Sequence, residues 1–297
     1  MKINRFHFAI AKAWLEHGGK KGLKRRPRFL DNTKFLDVAC DDSGIDSHCY
    51  DVILSSAPTR LGITILDIHG GAYVYSTRRH NHTFLNFFLE KGFDVVSLDY
   101  PLNDGKRDCL DQLNVLWKQI SHFAEHIKEY GVGEKIYIMG DSAGGHFALA
   151  LAEALCDEGV RQQFNWPKIP LALAGVLVNC PVYDFKGIGQ QTAMTDYVAD
   201  HLVGPRRKDE SYLDLVSPKT HIASLRIPLF LSSCKQDFLS AQSFMLREEV
   251  LGLGHELEYV FLDTDAKGVS HVHNVVNLSL PESIEINEKM AAFMASH

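Results

Sequence analysis

One stretch constrains the fold more than any other: the apolar run Ile136–Met139, followed at once by Gly140-Asp141-Ser142-Ala143-Gly144. The run predicts a buried strand that turns sharply into a helix. In so tight a turn the backbone folds back on itself, and glycine fits beside it because it has no Cβ. The turn forces the serine into a strained conformation that lifts its Oγ above the edge of the sheet. Because ordinary turns also contain this pattern, its context must decide.

Length and composition favour one large domain. The chain has 297 residues, of which 45% are hydrophobic and 23% charged, enough for a sizeable core. Single α/β domains often exceed 200 residues, so we expect residues 1–297 to form one such domain. The net charge of −6 argues against general affinity for nucleic acid.

The cysteines and the N-terminus predict a cytoplasmic protein. The six cysteines are scattered, without the spacing of a zinc site or the density of a disulfide scaffold. We therefore expect free thiols, no metal and no cofactor. The first residues lack the features of a signal peptide, and no run of about 18 apolar residues exists, so no stable membrane insertion is expected.

Strands and helices alternate from Leu61 onward, which predicts the α/β class. Two short, antiparallel strands, at 35–39 and 50–55, precede this alternation. Such a rhythm gives a mostly parallel, twisted sheet with helices on both faces. The predicted strands cover 61–68, 94–98, 135–139, 171–179, 228–232 and 256–262; the predicted helices cover 83–91, 108–130, 240–251 and 282–295, with one more opening at 143. Ligands bind beyond the carboxyl ends of such strands.

Two segments depart from this rhythm. Residues 1–30 combine a helix with one apolar face and a basic run at 20–28, which we interpret as a solvated connector, with a membrane-surface helix as the alternative. Residues 185–216 are too long for a plain connection, and we expect them to form a small inserted helical cap over the site.

Chemically useful side chains follow three of the predicted strands. Ser142, Asp237 and His271 occur in the chain order that an α/β-hydrolase sheet requires. A serine hydroxyl needs a histidine to take its proton, and that histidine needs a carboxylate to fix its tautomer. Rivals exist for both partners. His273 competes for the base, and the competing acids are Asp184, Asp263 and Asp265.

The segment His69-Gly70-Gly71 is suited to stabilise an oxyanion. The backbone N–H groups of Gly70, Gly71 and Ala143 are predicted to donate to the carbonyl oxygen that becomes negative when the serine attacks. Losing one such donor typically costs about 3 kcal/mol of transition-state stabilisation. We expect the His69 side chain to anchor the loop by hydrogen bonds and to border the substrate.

The motifs His-Gly-Gly-Ala-Tyr at 69–73 and Gly-Asp-Ser-Ala-Gly-Gly at 140–145 together resemble the hormone-sensitive-lipase-like carboxylesterases, a branch of the α/β-hydrolases. The resemblance covers roughly residues 60 to 295. It implies an α/β-hydrolase fold and a cofactor-independent serine esterase, with Asp237 as the acid and His271 as the base. His273 stands where the family has an aromatic residue, and Ala72 replaces its third glycine.

The resemblance also bears on the substrate. His146 stands where many of these esterases have asparagine, which is similar to formamidase-like and feruloyl- or acetyl-esterase-like relatives. We expect His69, Tyr73 and His146 to bind a small-molecule ester of a short acid. Two alternatives remain open, an aryl formamidase or amide hydrolase and a hydrolase-fold protein that only binds a ligand. Because the family often pairs through an edge strand, a homodimer also stays open.

Overall fold

The computed structural model describes residues 32–103, 107–188, 206 and 208–297. Within these ranges, an eight-stranded sheet has the order β1-β2-β4-β3-β5-β6-β7-β8. Strand β2 pairs antiparallel with β1 and β4, and all other neighbours pair in parallel. The strands are β1 Lys34–Ala39, β2 Cys49–Ile53, β3 Ile63–Ile68, β4 Asp94–Leu98, β5 Lys135–Asp141, β6 Leu173–Asn179, β7 Leu229–Cys234 and β8 Leu257–Leu262.

The helices connect these strands. They are α1 His82–Glu90, α2 Cys109–Tyr130, α3 Ala143–Cys156, α4 Glu158–Gln163, α5 Phe185–Ile188, α6 Glu210–Val216, α7 Pro218–His221, α8 Ser240–Gly252, α9 His273–Val276 and α10 Pro281–Ser296. Within these ranges, every helix falls short of the length or the apolar character that a membrane crossing requires. The alternation predicted from the sequence is confirmed, whereas α4, α7 and α9 were not predicted.

The sheet has an apolar core on each face. Along β5, Ile136 and Ile138 pack into one cluster, which includes residues of α2 and α3. Tyr137 and Met139, which alternate with them, pack into the other cluster with residues of α1 and α10. Successive side chains of a strand point to opposite faces, so a strand covered on both sides is apolar throughout. This explains why the apolar run Ile136–Met139 was predicted correctly as a buried strand.

Parts of the predicted accessory segments lie outside the described residues. The helix and basic run at 1–30 are among them, as is most of the predicted cap, at 189–205. The structure describes the two ends of the predicted cap, which contain the helices α5 and α6. Helix α6 packs against the sheet domain, where the Tyr212 hydroxyl accepts a hydrogen bond of 3.1 Å from the Cys109 N–H. A cap over the site therefore stays a prediction.

Glu153, on α3, is a buried acid that forms no ion pair with any residue the structure describes. Its residue is 0% exposed, and neither carboxyl oxygen has a hydrogen-bond partner among the described residues. Burial raises the pKa of Glu153 well above its ordinary value of 4.5. The carboxyl is therefore neutral in the folded protein at a pH where the same group is ionised in the unfolded chain.

We expect Glu153→Gln to stabilise the protein increasingly as the pH rises. Below pH 4.5, the ordinary pKa of the group, both states of the wild type bind the proton and the two proteins differ least. Above it, only the unfolded wild type releases the proton, so its free energy of unfolding falls relative to the variant by up to about 1.4 kcal/mol per pH unit. Urea unfolding from pH 4 to pH 8 measures this difference. The exposed Glu129→Gln is the control, and a difference independent of pH would contradict the prediction.

Candidate active site

Ser142 sits in a strained turn between β5 and α3. Its φ of 55° and ψ of −116° place it where residues with a side chain are rarely found. The neighbouring strand end holds this conformation, because the Ser142 N–H donates to the Asn179 carbonyl at 2.9 Å. The residue is 8% exposed. The strain predicted for this serine is confirmed.

Two glycines make the turn possible. A Cβ on Gly140 would overlap the carbonyl oxygen of Gly144, and a Cβ on Gly144 would overlap that of Ile68. Helix α3 thus starts in direct backbone contact with β5 and β3. This contact explains the spacing of the motif, since any side chain would push the helix away from the strands.

Ser142, His271 and Asp237 form a continuous hydrogen-bonded line. His271 Nε2 lies 2.9 Å from Ser142 Oγ, and His271 Nδ1 lies 2.7 Å from Asp237 Oδ1. A carboxylate accepts, so Nδ1 carries the proton and Nε2 presents its lone pair to the serine hydroxyl. The three side chains that the sequence predicted to meet are therefore brought together.

Asp237 is fixed from several directions. The Leu239 N–H donates to Oδ1 at 2.9 Å, and the Ser233 hydroxyl donates to Oδ2 at 2.9 Å. Burial by itself would raise the pKa of Asp237, but the hydrogen bond and the charge of His271 outweigh burial and hold this pKa below its usual range. The carboxyl is thus an ionised acceptor. Sequence reasoning missed Ser233, although it directly precedes Cys234 at the end of β7.

The rival acids and the rival histidine are engaged elsewhere. His273 Nδ1 lies 3.0 Å from the Ser283 hydroxyl on α10. Asp184 accepts hydrogen bonds from the Lys186 N–H and the Lys219 ammonium. The side chains of the two other acids are 77% and 78% exposed and pair with Lys235; they are Asp263 and Asp265. The geometry therefore favours Asp237 and His271.

Phe238 packs against the His271 imidazole, and Val272 follows His271 in a sharp turn. The ring centroid of Phe238 lies 4.3 Å from that of His271, and Phe238 is 44% exposed. Val272 has a φ of 50°, which is rare for a β-branched residue and marks a sharp turn just after His271. Neither residue was singled out from the sequence, because nothing in their local pattern indicates contact with the base.

In the loop after β3, the Gly70 N–H differs from its prediction as an oxyanion donor. The Gly70 N–H donates to Asp141 Oδ1 at 3.1 Å and is thus already committed. In contrast, the N–H groups of Gly71, Ala72 and Ala143 have no hydrogen-bond partner within the described part of the chain. The N–H groups of Gly71 and Ala72 do not donate to Asp141 because the backbone turns at these residues, where φ is 116° and 49°.

Asp141 links this loop to the strand that carries the serine. Besides Gly70, it accepts a hydrogen bond of 3.0 Å from Asn81 Nδ2, which also donates to Asp67. Burial raises the pKa of Asp141. The three side chains are buried, so they form a polar cluster directly beneath the loop.

The three residues predicted to bind substrate are nearly fully buried: His69, Tyr73 and His146. His69 lies between the Gly70 carbonyl, at 2.7 Å, and Asp99, at 3.1 Å, which confirms that it anchors the loop. Burial lowers the pKa of His146 to about 4. The Tyr73 hydroxyl and His146 Nδ1 have no partner among the described residues. Direct contact of these three with substrate stays a prediction.

The described ends of the predicted cap, α5 and α6, contact Tyr73 and His146. His146 Nε2 lies 2.6 Å from the Val216 carbonyl on α6. The ring of Phe185, on α5, lies 4.8 Å from the His146 ring and 5.9 Å from the Tyr73 ring. These contacts attach the segment at 185–216 to the first turn of α3 and to the loop after β3.

The BD-FAE family model matches residues 50–250, which is more than half of the chain. No curated protein has a significantly similar sequence.

Solved structures confirm the α/β-hydrolase fold. Esterase B from Lactobacillus rhamnosis (HN001) superposes with a TM-score of 0.86 at 20% identity, over 97% of this chain and 93% of that one. Esterase LipW from Mycobacterium marinum gives 0.76 at 14% identity, over 99% and 91%. A bacterial heroin esterase gives 0.72 at 16% identity, over 100% and 93%.

We expect Gly144→Ala to destabilise the protein by about 1–3 kcal/mol, because the added methyl must separate α3 from β3. Gly252→Ala is the matched control, since a Cβ there meets no atom within 4 Å. Urea unfolding of both variants measures the free energy of unfolding. An equal effect of the two substitutions would contradict the packing argument.

Proposed function

The chain belongs to the BD-FAE family, and from this premise we propose that it is a serine carboxylesterase that hydrolyses short-chain carboxylic esters through an acyl-enzyme intermediate. One observation carries the proposal: the hydrogen-bonded line from Ser142 through His271 to Asp237. Esterases are also among the proteins that share the fold.

In the first half of the reaction, Ser142 Oγ attacks the carbonyl carbon of the ester. His271 Nε2 takes the hydroxyl proton as the new bond forms, and the ionised Asp237 stabilises the resulting imidazolium. The tetrahedral intermediate then collapses, the bond from carbon to the leaving oxygen breaks, and His271 returns the proton to the alcohol. Asp237 remains ionised throughout.

The oxygen of the intermediate becomes negative and needs donors that are already in place. We assign this role to the N–H groups of Gly71, Ala72 and Ala143, which the folded protein leaves unpaired among its described residues. Such donors stabilise the transition state because they do not reorganise during the reaction. Gly70 acts indirectly, since its N–H holds the loop to Asp141.

In the second half, a water molecule takes the place of the alcohol. His271 Nε2 removes a proton from this water, whose oxygen attacks the acyl carbon. Collapse of the second intermediate releases the carboxylic acid and returns the proton to Ser142 Oγ. No metal or cofactor enters this scheme.

Two further properties remain predictions. A cytoplasmic location is consistent with the six cysteines, all of which are free. A homodimer is consistent with β8 lying at the edge of the sheet. Cell fractionation and analytical ultracentrifugation test them.

We expect Ser142→Ala to lower kcat for p-nitrophenyl acetate by about 10⁴- to 10⁶-fold, because the nucleophile is lost. Circular dichroism should show an unchanged fold. A serine-reactive fluorophosphonate probe should label the wild type and not the variant, which separates an enzyme from a protein that only binds a ligand.

Paired substitutions of two acids provide the control. Asp237→Asn removes the carboxylate next to His271 and should lower kcat by about 10⁴-fold. Asp184→Asn removes a buried carboxylate that contacts Lys219 and not His271. It should leave kcat within about threefold of the wild-type value. Equal losses in the two variants would overturn the assignment of the acid.

We expect hydrolysis to be fastest for p-nitrophenyl acetate and butyrate and to decline by about tenfold or more for long-chain esters. N-Formylkynurenine should be a poorer substrate than either short ester. Values of kcat/KM for this panel, with acetylated sugars and feruloyl esters included, measure the preference. A higher kcat/KM for the formamide would favour the amide-hydrolase alternative.

A further inference from the structure

A cysteine lies beside the two residues that activate the serine. The Sγ of Cys180, a carboxylate oxygen of Asp237 and a ring nitrogen of His271 all lie within 4.8 Å of one another. The ring nitrogen that faces Asp237 is Nδ1. Cys180 and Asp237 are buried, whereas the His271 side chain is 19% exposed and connects the cluster to solvent.

The proposed reaction assigns no step to this thiol. Cys180 directly follows β6, and its φ of 48° turns the chain sharply at that point. Burial, and then the nearby charge of Asp237, raise the pKa of Cys180 well above its ordinary range. The group is therefore a neutral thiol in the resting protein, close to the bond between His271 and Asp237 but not needed for it.

We propose that Cys180, Asp237 and His271 form an inhibitory site for Zn²⁺ or another borderline-soft divalent cation. Sulfur, imidazole nitrogen and carboxylate oxygen are the donors that Zn²⁺ takes in proteins. Zinc binds these donors at about 2.0–2.3 Å, so two of them lie at most about 4.4 Å apart. The three donors lie within 4.8 Å of one another, so the side chains must move closer together when the cation binds. Magnesium, which requires an octahedron of oxygens, does not fit.

Binding would stop catalysis through the tautomer of His271. The cation takes the lone pair of Nδ1 after the single ring proton has moved, by exchange with solvent, from Nδ1 to Nε2. Only the proton of the Cys180 thiol is released to solvent, and the ring proton on Nε2 now points at Ser142 Oγ. An Nε2 that carries a proton cannot accept one from the serine, so the attack on the ester is blocked. Chelation of the metal restores the resting hydrogen bonds.

Two measurements test the site, because the loss of turnover rests on the proposed function and the binding does not. The first is the Zn²⁺ concentration that halves hydrolysis of p-nitrophenyl acetate. Cys180→Ser should raise it by roughly tenfold or more, given that loss of even an outer-shell partner of a metal ligand costs about 10–100-fold in affinity. Cys234→Ser, which changes a second buried thiol outside the cluster, should alter it by less than about twofold. Mg²⁺ should have no effect, and EDTA should restore activity.

The second measurement does not depend on turnover. Co²⁺ added to the Ser142→Ala variant, which retains all three donors, should produce a thiolate-to-cobalt charge-transfer absorption band. The band should be absent from the Ser142→Ala, Cys180→Ser double variant. Circular dichroism checks that this variant is folded. If the Cys180→Ser substitution unfolds the protein, Cys180→Ala replaces it in both measurements.

Each outcome decides the proposal. Equal inhibition of the wild type and the folded Cys180 variant overturns it, as does the absence of the cobalt band. A band without inhibition of an active wild type overturns the inhibitory role. If the wild type hydrolyses no ester, the proposed function fails, and the cobalt band alone decides whether the metal site exists.

Discussion

The contact between the backbones of β5, β3 and α3 is the constraint on which the site depends. Helix α3 can begin at Ala143 only because Gly140, on β5, presents no Cβ to the helix and Gly144, on the helix, presents none to β3. That proximity forces the chain through the strained geometry of Ser142 and points the serine away from the core. It also brings the first N–H groups of the helix to the carboxyl ends of the neighbouring strands. The strained geometry of Ser142 and the position of the Ala143 N–H therefore arise from one packing requirement.

A second set of interactions holds the loop after β3. Arg78 is fully buried and donates to Asp99 at 2.9 Å and to Asp51, on β2, at 3.2 Å. Asp99 in turn contacts His69, which binds the Gly70 carbonyl. A buried arginine needs such partners, because an unpaired charge in the core is strongly destabilising. The antiparallel part of the sheet, which is remote from Ser142 in sequence, thus supports the loop that faces it.

The sequence predicted the features that depend on local chemistry. The buried strands follow from apolar runs, and the turn at Ser142 follows from the spacing of its glycines. Features that depend on side-chain direction were less accessible. The residues alone left His271 and His273 both open, since each follows the last strand. Their hydrogen bonds separate them, because His271 contacts Ser142 and Asp237 whereas His273 contacts Ser283. Gly70 was assigned to the wrong partner because its N–H direction depends on Asp141. Arg78 was missed, since its acidic partners are distant in the chain.

Asp141 couples the position of Ser142 to that of the loop after β3. It is the residue before Ser142, and its carboxyl group holds the Gly70 N–H. Ser142 and the loop after β3 are therefore joined through one residue, and a displacement of either is transmitted to the other. Thermal fluctuations of the two should be correlated, with the reacting carbon held between parts that move as a unit. Substitutions in the surrounding segments can then change which substrates enter, while the distance between Ser142 and the loop after β3 stays the same.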